Sequence, residues 1–62
     1  MKRTFTIIGL GTFGSTLARE LSRLGNDVIG IDLNPELVSE VADSIAQAAV
    51  ADARDEKALH DL

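Results

Sequence analysis

The chain has 62 residues, a formal net charge of −4 and no cysteine. An acidic chain of this length excludes a disulfide framework, a thiolate metal site and the basic face that nucleic-acid binding needs. No apolar run approaches the roughly 20 residues that span a bilayer, and the early run Ile7 to Leu10 is cut by Gly9, too short for a secretory signal.

The expectation is one small soluble domain, which buries only about 60% of the surface its unfolded chain exposes. Absence of cysteine suits a reducing compartment. The single histidine, His60, cannot build a metal cluster alone. Phe5 and Phe13 are the only aromatic residues, so Leu, Ile, Val and Ala must form the core.

Phe5-Thr6-Ile7-Ile8 reads as a first strand, aromatic and β-branched, that stops at Gly9. From about Thr12 to Leu24 the pattern turns helical. Leu17, Leu21 and Leu24 recur at i, i+4, i+7 beside Ala18, with Arg19, Glu20, Ser22 and Arg23 opposite. Phe13 is expected to pack under the turn. Gly25 stands where a left-handed residue ends a helix. Val28-Ile29-Gly30-Ile31 is a second strand, apolar throughout as in sheets covered on both faces, and Asp32 ends it.

Asn34-Pro35 starts a second helix, with Asn as N-cap and Pro in the first turn. Leu37, Val38, Val41 and Ile45 form its apolar stripe. Gln47-Ala48-Ala49-Val50 is read as a third strand, although its alanines also suit a helix. Asp52 closes it. Asp55 can cap a last helix with Ala58, Leu59 and Leu62 inside, and with His60 beside Asp61 in a solvated or capping role.

The order β-α-β-α-β-α predicts an α/β fold: a three-stranded parallel sheet, order 3-2-1, with flanking helices. It is one mononucleotide-binding half of a doubly wound, Rossmann-like fold. Residues 1–62 would be the N-terminal part of a single nucleotide-binding domain. The strand that would lie beside the first in a complete sheet is absent, which leaves Phe5, Ile7 and Ile8 on an open edge. A longer protein, or an oligomer that covers this edge, is therefore expected.

Gly9-Leu10-Gly11-Thr12-Phe13-Gly14 is a G-x-G-x-x-G turn. Alone it is weak. Here it follows a strand, opens an amphipathic helix, and precedes a strand that ends in an acid. Asp32 lies 21 positions after Gly11 (32 − 11), against about 20 expected for the ribose-binding acid. Gly9 permits the tight turn, Gly11 lets a phosphate approach the backbone, and Gly14 lets the helix lie close on the strand. The free N–H groups around Thr12, Phe13 and Gly14 can face phosphates, and the Thr12 hydroxyl can add a hydrogen bond.

Asp32 can accept from both ribose hydroxyls, and its charge repels a 2′-phosphate. It can also be a solvated strand end. Asp52 lies on the same carboxyl edge, where Ala51 and Asp52 can flank an adenine ring; a local cap is the competing role. Nothing divides Asp32 and Asp52 into acid and base, and no serine has a histidine partner for a triad.

The stretches Ile7-Ile8-Gly9-Leu10-Gly11-Thr12-Phe13-Gly14-Ser15, Leu17 to Leu21, Gly25, Val28 to Asp32 and Val50-Ala51-Asp52-Ala53 resemble the KTN/RCK-N (TrkA-N) family. These are cytoplasmic regulatory domains of Trk/Ktr-type potassium uptake systems and of some potassium channels. The resemblance implies binding of NAD(H), ATP or ADP through the backbone of Leu10 and Gly11, then Gly30, Ile31 and Asp32, then Ala51 and Asp52. It also implies dimers or rings beneath a membrane potassium-translocating subunit, at the inner face of the cell membrane. Thr12 stands where many Ktr-type members carry a phosphate-clamping arginine. Loss of that bidentate charge favours NAD(H) or a diphosphate nucleotide over ATP.

Two other readings use the same turn and acid. One is the cofactor-binding segment of an NAD-dependent dehydrogenase, for which these residues supply no catalytic acid or base. The other is a half-fold that self-associates and binds nucleotide weakly or not at all.

Overall fold

The computed structural model describes residues 2–55. The element order is β1 (Thr4–Ile8), α1 (Thr12–Arg23), β2 (Asp27–Asp32), α2 (Pro35–Val41) and β3 (Gln47–Val50). The expected last helix, with Ala58, Leu59, His60 and Leu62, lies outside the described residues.

The three strands form one parallel sheet in the order β1-β2-β3, as expected. Gly30 pairs with Ile7 on one side and Ala48 on the other; Ile31 pairs with Ile8 and Ala49. In a parallel sheet, paired residues share a face and neighbours alternate. Ile7, Gly30 and Ala48 therefore line one face, and Ile8, Ile31 and Ala49 the other.

Both helices touch β2 and each other, so they cover the same face. Two crossovers stepping the same way along the sheet, with one hand, produce this arrangement. The core between helices and sheet holds Leu10, Ala18, Val28, Val38, Val41 and Ile45, with Ile7, Leu21, Leu37 and Ala48 against it. Ile31 is buried yet lies outside that cluster, on the other face. Among the described residues β1 pairs only with β2, so its outer edge is open, and Ile8 is 60% exposed.

The helix ends follow local chemistry. Gly25 adopts φ +95°, the conformation expected of it. Its N–H donates to the Ser22 carbonyl at 2.9 Å, and that of Asn26 to Leu21 at 3.2 Å. This pair of bonds is the Schellman arrangement. The Asn34 side chain accepts from the Glu36 N–H at 2.9 Å, with Pro35 opening α2, as predicted.

Three expectations need correction. The inner stripe of α1 is not Leu17-Leu21-Leu24: Leu17 is exposed and Leu24 is 64% exposed. The inward line is Gly14-Ala18-Leu21, also i, i+4, i+7, with Ala18 buried and the other two half-buried. A Cβ on Gly14 would fall 1.9 Å from the Gly9 carbonyl oxygen, so the smallest residues set how closely helix and strand approach, and the larger leucines turn outward. Phe13, expected under the turn, is 80% exposed, and Leu10 is the residue of the turn that enters the core. Finally, α2 ends at Val41, and Ile45 enters the core from the turn that follows it.

Candidate functional site

The glycine turn leaves β1 at Gly9, with φ +96° and its N–H donating to the Ile31 carbonyl at 2.8 Å. The N–H of Leu10 donates to Asp32 Oδ2 at 2.7 Å. Gly11 is the N-cap of α1 and offers no side chain to it. The N–H groups of Thr12, Phe13 and Gly14, in the first turn, have no partner within the helix. The next one along, Ser15, reaches the Gly11 carbonyl at 2.8 Å. A Cβ on Gly11 would meet nothing within 4 Å, so open space lies over that backbone. The Thr12 carbonyl accepts from the Thr16 hydroxyl at 2.7 Å.

Asp32 ends β2 beside this turn. Besides Leu10, it accepts from the Asn34 N–H at 2.9 Å through Oδ1. These donors, Leu10 first, hold its carboxyl below the ordinary range. Each oxygen keeps a further lone pair, so two hydroxyl donors can still be accommodated.

At the carboxyl ends of the strands is a cavity of about 200 Å³, lined by Ile8, Gly9, Ile31, Asp32, Leu33, Ala51, Asp52 and Ala53. This is the edge on which open α/β sheets bind ligands. Its floor includes the paired Ile8 and Ile31. Asp52 accepts from the Arg54 N–H at 2.8 Å, a local turn, and from the Arg54 guanidinium at 2.9 and 3.1 Å. The Arg54 side chain, then its N–H, holds the Asp52 carboxyl low.

Of the residues singled out in the sequence, Gly9, Ile31, Asp32, Ala51 and Asp52 meet around the cavity. Gly11, Thr12, Phe13 and Gly14 lie beyond it at the start of α1. Leu10 and Gly30 line the core side: Leu10 is 1% exposed, and a Cβ on Gly30 would fall 2.8 Å from Ile45. Sequence reasoning missed Ile8, Leu33, Ala53 and Arg54. Strand register gives the signal for Ile8, which must share a face with Ile31. No group of three or more metal-ligating side chains occurs among the described residues, and none of their helices is long and apolar enough to cross a membrane.

The TrkA-N domain family matches residues 5–62, and the chain belongs to it. It is 38% identical over 60 residues to the Ktr system potassium uptake protein A of Bacillus subtilis, covering 97% of this chain and 27% of that protein. Ktr system potassium uptake protein C of the same organism is 37% identical over 62 residues, covering 100% of this chain and 28% of that protein. The Vibrio alginolyticus Ktr system potassium uptake protein A is 37% identical over 60 residues, 97% of this chain and 27% of the relative. The chain thus spans little more than a quarter of the length of these relatives.

Proposed function

We propose that the chain is the nucleotide-binding part of a cytoplasmic regulatory module of a potassium uptake system, and that it has no catalytic role. The observation that carries this reading is the juxtaposition around Gly9-Leu10-Gly11. Asp32 and an apolar cavity stand on one side, and the uncapped start of α1 on the other. An adenosine ribose at Asp32 would set its base over Ile31 and Ala51 and its phosphates toward Thr12 and Gly14. Kinship with potassium uptake proteins supports the physiological half of the reading. Gating would follow from a ligand binding two states of the assembly unequally.

The ligand is NAD(H) or ADP in preference to ATP, because Thr12 offers a hydroxyl and not a charged fork to the phosphates. The module works as a dimer or ring against a membrane subunit, at the inner face of the membrane. The non-catalytic part of the reading is supported by the carboxyls: Asp32 and Asp52 are both held low, whereas acid–base catalysis near neutrality needs one of them raised.

Titration calorimetry with NADH, ADP, ATP and NADPH tests the reading. NADH and ADP bind, NADPH binds at least about tenfold more weakly because of the Asp32 charge, and Asp32→Ala loses binding. No heat with any nucleotide, or unchanged affinity in Asp32→Ala, refutes it.

A further inference from the structure

Leu10 occupies a variable position of the glycine motif, where the motif itself asks for nothing. Yet it is 1% exposed and part of the core. The hollow that receives it, which it shares with the tip of Ile45, is made by Gly30: a Cβ there would fall 2.8 Å from Ile45 Cδ1, 3.1 Å from Leu10 Cδ2 and 3.3 Å from Leu10 Cδ1. The next residue of the strand, Ile31, accepts the Gly9 N–H through its carbonyl at 2.8 Å. The next, Asp32, accepts the Leu10 N–H through its carboxylate at 2.7 Å. Three successive residues of β2 thus hold the turn in three ways: by a hollow, by a carbonyl and by a carboxylate.

We propose that Leu10 is a positioning residue, locked into the Gly30 hollow, that fixes the backbone of Gly11 and the start of α1 for phosphate binding. This rests on the nucleotide reading above. Neither Leu10 nor Gly30 lines the cavity. Their fit acts through the turn, which is set before any ligand arrives, so the ordering cost is met in folding and not in binding. A ligand without phosphate does not draw on that geometry, whereas one with a diphosphate does.

The test compares ADP with adenosine on the intact chain, in wild type, Leu10→Val, Gly30→Ala and the double variant. Leu10→Val leaves a gap, and Gly30→Ala crowds the hollow. Each is expected to weaken ADP about tenfold while adenosine changes by less than about twofold, the scale on which loose positioning acts. The double variant, small against large, regains part of the ADP affinity, with the flexible tip of Ile45 left to give way to the new methyl. Equal losses for ADP and adenosine, or no recovery in the double variant, overturn the proposal.

Amide hydrogen exchange supplies a readout free of ligand. The Leu10 amide exchanges faster in the single variants while the Val28 amide, in the core, does not. Equal exchange at Leu10 in all variants overturns the lock. Failure of wild type to bind either ligand refutes the nucleotide reading instead, and exchange at Leu10 then decides the lock alone.

Discussion

Replacing Gly14 by alanine puts the fold under its sharpest steric test. The added methyl would lie 1.9 Å from the Gly9 carbonyl oxygen and 3.0 Å from its carbon. Ordinary carbon–oxygen contacts begin near about 3.3 Å, so α1 must retreat by more than about 1 Å. The obstacle is backbone and cannot rotate away; the Gly9 N–H is itself bonded to Ile31 at 2.8 Å. Retreat opens the contact made by Ala18, which is fully buried. Overpacking of this kind costs about 1–3 kcal/mol, and a backbone obstacle puts it at the upper end. The better helix propensity of alanine returns up to about 1 kcal/mol. A net loss of about 2 kcal/mol lowers the melting temperature of a domain this small by about 8–16 °C.

Thermal unfolding followed by far-ultraviolet circular dichroism reads this directly, with Gly11→Ala as the comparison. Gly11 has φ −67° and open space around its Cβ direction. Alanine there loses only the better N-cap, on the order of 0.5–1 kcal/mol. If Gly14→Ala melts with wild type, or no lower than Gly11→Ala, the close approach of α1 to β1 is wrong. On the nucleotide reading the ligand ranking is different: Gly11→Ala keeps most of its stability and loses phosphate affinity.

Three further outcomes are expected. Gly25→Ala forces a side chain into φ +95° and lowers urea-unfolding stability by about 1–2 kcal/mol. Asn34→Ala removes the acceptor of the Glu36 N–H and costs about 1 kcal/mol in the same assay. Asp32 has its folded pKa lowered by the Leu10 and Asn34 donors, so its stabilisation is present above the unfolded value of about 3.9 and is lost as pH falls through the lower folded value. Acid titration of unfolding in wild type against Asp32→Asn should show a shallower acid loss in the variant, and equal slopes would remove the assignment.

The elements were legible because each is punctuated by a residue with one physical job. Gly9 and Gly25 need positive φ, Asn34-Pro35 caps and opens a helix, and Asp32 ends a strand. The alanine-rich Gln47–Val50 gave little propensity, and its reading as a strand came from the alternation around it. What misled was side-chain size. Periodicity favours the largest apolar residues as the inner stripe of α1, but the contact is set by the smallest, Gly14 and Ala18. The same blindness hid Leu10: inside a glycine motif an apolar residue looks like filler, and only three-dimensional packing shows that Gly30 leaves it a hollow. Arg54 was missed because a local turn at Asp52 announces only the Arg54 N–H as its partner, whereas the guanidinium that also reaches the carboxylate is placed by the folded side chain.

The position of Asp32 changes how its substitution must be read. Its carboxylate anchors the turn through Leu10 as well as facing the cavity. Loss of nucleotide binding in Asp32→Ala therefore follows from either a lost ribose contact or a loosened turn. Asp32→Asn separates them. Its carbonyl oxygen can keep the Leu10 bond and accept one hydroxyl, whereas its amide nitrogen can no longer accept the second. If the ribose contact dominates, Asn loses much of the ADP affinity, though less than Ala. If the anchor dominates, Asn keeps most of the affinity, and NADPH is no longer disfavoured because the repelling charge has gone. The cavity itself, at about 200 Å³, is smaller than the usual 300–1,000 Å³ of ligand sites. A nucleotide seated there must extend over Gly11 to the start of α1, and the affinity that ADP gains over adenosine measures that second half of the site.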